Sequence, residues 1–227
     1  MYNVNMESQH GDTPVLSVRD LTKRYQSRLI FEGVTFTCGP AETVIIVGQN
    51  GSGKTTLLTC IAGLRGFDAG TVKIGSVDLH DDELALRRHL AFVPDVPQFY
   101  LELTAYEHLQ FVASSHQATS DFDCRAEHLL TDLGLWQARD QYPHTYSRGM
   151  RQKLGLALAL IRPFSLLLMD EPTSTLDSES VAWLLDRVDQ LSGDGKAIVI
   201  STHDERVRQR YPALTYQLSD GRFGRLP

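Results

Sequence analysis

The sequence is poor in cysteine, has no surplus of positive charge and contains no long apolar run, and each shortage closes off a class of protein. Its three cysteines, Cys38, Cys60 and Cys124, lie far apart and are odd in number. They form no CxxC pair and suit reduced thiols rather than a disulfide framework. The histidines are scattered too, with no HxxxH or His–Cys grouping of the kind that cages a transition metal. The formal net charge is -6, from 22 Lys+Arg against 28 Asp+Glu. A general nucleic-acid partner would call for a basic excess instead, so none is expected. The most apolar helical stretch, residues 154–161, stops at Arg162-Pro163, well short of the ~20 residues a spanning helix needs. Residues 1–13 are polar and lack an apolar h-region, so they are expected to form a flexible leader and not a secretory signal.

What is present fits one α/β domain. A chain of 227 residues with 42% hydrophobic and 22% charged residues can bury a core of useful size. Weak alternation in Val15-Leu16-Ser17-Val18 and again in Val34-Thr35-Phe36-Thr37, after a turn-like Glu32-Gly33, predicts an N-terminal antiparallel β segment. Thr43-Val44-Ile45-Ile46-Val47 is a continuous β-branched run of the kind buried on both faces of a parallel sheet. Leu166-Leu167-Leu168-Met169 and Ala197-Ile198-Val199-Ile200-Ser201 are two more, joined by an amphipathic helix over 178–191. That order implies a right-handed parallel crossover. Between the run 43–47 and these two, residues 103–136 read as helical with a polar break at 114–121, and Leu109, Val112, Leu129, Leu130 and Leu133 are expected to face a core. The expected organisation is a catalytic α/β lobe, 14–95 and 160–227, with a helical subdomain inserted at 96–159.

Gly48-Gln49-Asn50-Gly51-Ser52-Gly53-Lys54-Thr55 matches the phosphate-binding pattern GxxxxGK[ST] at every fixed position. Glycines let backbone N–H groups turn inward around phosphate oxygens, at the positive end of the helix that follows. The candidate phosphate contacts are Gly48, Asn50, Gly51, Ser52, Gly53, Lys54, Thr55 and Thr56. Lys54 can reach the β- and γ-phosphates, and the Thr55 hydroxyl can bind Mg²⁺. The motif follows a buried strand and opens a helix, as its chemistry requires. Taken alone it leaves kinase, GTPase and ATPase open. Asp170 and Glu171, at the end of the apolar run 166–169, supply a metal carboxylate beside Thr55 and a base able to take a proton from an attacking water.

Three further segments narrow the family. Tyr146-Ser147-Arg148-Gly149-Met150-Arg151-Gln152 resembles the ABC signature, whose common form is LSGGQ. Pro172-Thr173-Ser174-Thr175-Leu176-Asp177 resembles that family's D-loop, and Ser201-Thr202-His203-Asp204 its switch-histidine motif. In order and spacing these motifs span about 15–204, nearly all of the chain, and together they are highly specific. The resemblance to the ABC ATPases implies a P-loop NTPase core, ATP and Mg²⁺ as ligands, and hydrolysis in a head-to-tail dimer with ATP at the interface. It implies that Ser147, Gly149 and Met150 face the γ-phosphate held by the other subunit, that Asp177 crosses the interface, and that His203 touches the γ-phosphate. It also implies that Tyr25 stacks on adenine, a contact worth roughly 1–3 kcal/mol per base in nucleic-acid sites.

Two positions depart from the family pattern. Arg148 stands where the first signature glycine is usual and Met150 where glutamine is; Ser147 and Gly149 remain. In Ala91-Phe92-Val93-Pro94-Asp95-Val96-Pro97-Gln98, Asp95 takes the place of the glutamine that reaches the metal and its water, with Gln98 as an alternative that needs a shifted loop. This loop and the stretch 145–160 resemble bacterial exporter-type subunits, in which the ATPase and the membrane permease are separate chains. The resemblance implies a homodimer or heterodimer on the cytoplasmic face of the membrane. Two rival functions are a soluble ABC assembly factor and a regulatory ATP switch with little turnover.

Overall fold

The computed structural model describes residues 13–227, so all but the last residue of the expected leader lies outside the described residues. The chain runs through β1 (Leu16–Tyr25), β2 (Arg28–Cys38), β3 (Thr43–Val47), α1 (Lys54–Ile61), β4 (Ala69–Ile74), β5 (Val77–Asp78), α2 (Glu83–His89) and β6 (Leu90–Val93). There follow α3 (Ala105–Ser115), α4 (Phe122–Asp132), α5 (Arg148–Leu160), β7 (Leu166–Asp170), α6 (Ser178–Gly193), β8 (Ala197–Ser201), α7 (Glu205–Arg210), β9 (Thr215–Ser219) and β10 (Arg222–Arg225).

Two sheets result. β2-β1-β4-β5 is antiparallel, and β10-β9-β3-β8-β7-β6 is parallel except for β10 at its edge. The alternation of side chains along a strand, with both faces covered, explains why β3, β7 and β8 are apolar except at their ends, Thr43, Asp170 and Ser201. Val44, Ile46, Leu166, Leu168, Ala197 and Val199 join the core shared with the antiparallel sheet. Ile45, Leu167, Met169, Ile198 and Ile200, from the same strands, join a second core with residues of α5 and α6 on the opposite face.

A third apolar cluster holds α3, α4 and α5 together, with Leu109, Leu130 and Leu133 buried and Val112 and Leu129 half-buried. Local chemistry sets the helix starts. Thr104 and Glu107 close a reciprocal capping box on α3, and the side chains of Asp82, Ser147 and Asp177 accept first-turn N–H groups of α2, α5 and α6.

One expectation is corrected. Glu32-Gly33 is not a turn: β2 runs through it, and the reversal falls at Gln26-Ser27. Gly33 takes φ 64 within the strand while the β1–β2 register shifts nearby, so the glycine serves an irregular pairing rather than a hairpin tip. Among the described residues no helix is long and apolar enough to cross a membrane.

Candidate active site

The carboxyl ends of β3, β7 and β8 deliver three segments to one side of the parallel sheet, the usual position of ligands in open α/β sheets. They are the glycine loop before α1, Asp170 with Glu171, and Ser201 to His203. A cleft of about 630 Å³ is lined there by Tyr25, Gly53, Lys54, Thr55, Glu171 and His203, among others. α1 has no side-chain cap and no acid in its first turn, which leaves its leading N–H groups for a ligand. Gly53 has φ 107, and a Cβ there would meet Ile30 Cγ2 at 2.8 Å; a Cβ on Gly48 would sit 2.3 Å from the Leu218 carbonyl oxygen. Neither position accepts another residue without a shift.

Lys54 is buried and folded back on its own loop. Its Nζ donates to the carbonyls of Gly48 at 2.8 Å and Gln49 at 3.4 Å. It also lies 3.2 Å from Glu171 Oε1, an ion pair without hydrogen-bond alignment. The other Glu171 oxygen, Oε2, lies 2.8 Å from His203 Nδ1 and accepts from the His203 backbone N–H at 3.2 Å. Glu171 is therefore held between two cationic or donor groups. Its backbone sits at φ 47, a left-handed conformation uncommon outside glycine and one that recurs at functional sites.

Asp170 is wholly buried, and burial raises its carboxyl pKa against the opposing pull of the Ser201 and Thr55 hydroxyls. Oδ1 accepts from Ser201 Oγ, while Oδ2 is buried with no partner. A buried carboxylate oxygen left over beside a threonine hydroxyl fits a hard divalent cation. No group of three or more His, Cys, Asp or Glu among the described residues could cage a metal unaided. Mg²⁺, which keeps several waters and leans on substrate phosphates, needs only one or two carboxylates.

The other expected residues are placed as follows. Asp95 lines the cleft and accepts from Ser174 Oγ at 3.1 Å, whereas Gln98 is not among the lining residues. Tyr25 ends β1 at the cleft, 39% exposed, with Lys23 Nζ 5.1 Å from its ring centroid and Arg65 bonded to its hydroxyl. Asn50, Gly51 and Thr56 line the cleft, while Gly48 and Ser52 flank it without lining it. Ser147, Gly149 and Met150 lie at the start of α5 outside the cleft of their own chain; of the signature only Arg148 reaches its rim. Asp177 caps α6, and its carboxyl pKa is lowered by the Ser180 backbone N–H, the Ser180 hydroxyl and Lys153.

No sequence signal points to Arg28 and Ile30, which line the cleft from β2, or to Ser174 as the partner of Asp95. Ser201 carried a faint signal, a hydroxyl ending an otherwise apolar run.

A family described as ABC transporter matches residues 31–174. The chain belongs to that family. It is an ABC ATPase domain. The SkfA peptide export ATP-binding protein SkfE of Bacillus subtilis is 33% identical over 83% of this chain and 79% of its own. The L-cystine transport system ATP-binding protein TcyN of Escherichia coli is 31% identical over 83% of this chain and 80% of its own. A solved dimeric ATP-binding cassette in a post-hydrolysis state, bound to ADP and Pi, matches with TM-score 0.83 at 26% identity, covering 93% of this chain and 99% of that one.

Proposed function

We propose that two copies of this ABC ATPase, or one copy and a related subunit, close on two ATP molecules and drive export through a separate transmembrane subunit. The observation that carries the reading is the convergence of Lys54, Glu171 and His203 at the mouth of the glycine loop, with Asp170 buried beside Thr55 and Ser201. Loop amides and Lys54 would bind the phosphates, and Tyr25 would stack on the adenine. Ser147 and Gly149 lie outside their own cleft, which suits contact with a nucleotide held by the partner. Glu171 would take a proton from water as its oxygen attacks the γ-phosphorus and the bond to the ADP oxygen breaks. Lys54 and His203 would stabilise the charge that develops. Thr55 and Asp170 would hold Mg²⁺, with Asp95 close by, and the ion would supply charge neutralisation on the phosphates.

Coupling to a membrane partner on the cytoplasmic face would run through the segment after Asp95, where Val96, Tyr100, Leu101 and Phe111 are exposed. Export is favoured by the likeness of the loop 94–98 and the signature stretch to exporter-type subunits, and by SkfE.

The test is Glu171→Gln. The variant should bind ATP and accumulate as a closed dimer on size exclusion, with turnover down about 10²–10⁴-fold, the usual contribution of a general base. Undiminished turnover would remove Glu171 from that role.

A further inference from the structure

We infer that Ser201 is a positioning residue that sets the two acids of the site, aiming Asp170 at the cation and holding Glu171 in its left-handed conformation. The inference deepens the proposed function and rests on its reading of Asp170 as a cation ligand.

Ser201 is the last residue of β8 and is wholly buried. In the parallel register it stands directly across from Asp170. Its hydroxyl donates to Asp170 Oδ1 and accepts the Glu171 backbone N–H at 3.2 Å. The same N–H reaches the Ser201 carbonyl at 3.0 Å. A serine hydroxyl has one proton and two lone pairs, so it can donate to one group while accepting from another. With the proton given to Oδ1, its oxygen is left to accept from Glu171, so the two bonds fix each other's direction.

Two consequences follow for the acids. Oδ1 of Asp170 is occupied, so the partnerless Oδ2 is the oxygen left for a metal. Glu171 is anchored through its N–H by both polar groups of one residue, which offsets part of the strain of φ 47 and keeps its carboxylate between Lys54 and His203. The neighbouring hydroxyl, on Thr202, serves a different purpose: it accepts the Asp204 N–H in the turn into α7. A buried serine that only needed satisfying would require one partner. Ser201 joins both acids.

The experiment measures Mn²⁺ binding by electron paramagnetic resonance, with a non-hydrolysable ATP analogue present, in the wild type and in Ser201→Ala, Ser201→Thr and Asp170→Asn. Loss of an outer-sphere partner typically weakens metal binding about 10–100-fold. Ser201→Ala should show a loss of that order, while its affinity for the analogue in EDTA stays at the wild-type value. Ser201→Thr, which keeps the hydroxyl, should restore Mn²⁺ affinity. Wild-type Mn²⁺ affinity in Ser201→Ala, beside a clear loss in Asp170→Asn, would overturn the inference and leave the proposed site standing. Unchanged affinity in Asp170→Asn would overturn both. If Ser201→Ala fails to fold, Ser201→Cys, a much weaker donor, takes its place with the same expected loss, and wild-type affinity there rejects the role.

Discussion

At the scale of single residues, environment separates side chains of one type. Burial pushes the Cys38 thiol up to about 12 and the Cys60 thiol to about 11, while Cys124 lies exposed on α4. The thiolate is the reactive species, so the two buried cysteines stay protonated and inert well above neutral pH. A maleimide titration at pH 8 should label one thiol in the folded chain and three in denaturant. Rapid labelling of two or three in the folded chain would show that the core around β2 or α1 opens. The two acids of the cleft obey the same logic: Asp170 and Glu171 are adjacent in sequence, yet one is wholly buried against a serine and the other bridges a lysine and a histidine.

At the scale of elements, α3 illustrates how a short helix is fixed. Thr104 accepts the Glu107 N–H at 3.3 Å and Glu107 accepts the Thr104 N–H at 2.8 Å. Thr104→Ala should cost about 1 kcal/mol and lower Tm by about 2–4 °C at this chain length, with nucleotide affinity unchanged. A Tm within error of wild type in a calorimetric scan would show that tertiary packing alone sets the start of α3.

β3, β7, β8 and α6 were readable because strands buried on both faces must be apolar between their ends and the helix between them keeps its 3.6-residue period. β4, β5, β9, β10 and α2 escaped, being short, half-exposed or at an edge, where composition is mixed. Gly33 misled, since a glycine in an irregular strand and a glycine in a turn look alike in one dimension. Most of the site was legible because its residues sit in contiguous motifs. The link from Ser201 to Asp170 was not, because it depends on the register of two strands 31 positions apart.

At the scale of the whole molecule, the segment 94–104 joins the cleft to the helical lobe and leaves apolar side chains in solvent. Val96, Tyr100, Leu101 and Phe111 are each about half or more exposed, and the Tyr100 and Phe111 rings meet at 5.6 Å. This is the surface proposed above as the contact with a transmembrane subunit. The double variant Tyr100→Ser, Leu101→Ser should keep the ATPase activity of the isolated chain and lose co-purification with the membrane subunit from native membranes. Retained co-purification would place the coupling contact elsewhere.

The grip of Lys54 and His203 on Glu171 has a consequence for affinity. Both groups are ones that a γ-phosphate would need, and a carboxylate of the chain already occupies them. In the proposed mechanism the Glu171 carboxylate would therefore compete with the γ-phosphate for Lys54 and His203. Changing Glu171 to an uncharged side chain should then do two separate things: stop proton removal and tighten nucleotide binding, the second detectable even where no hydrolysis can occur.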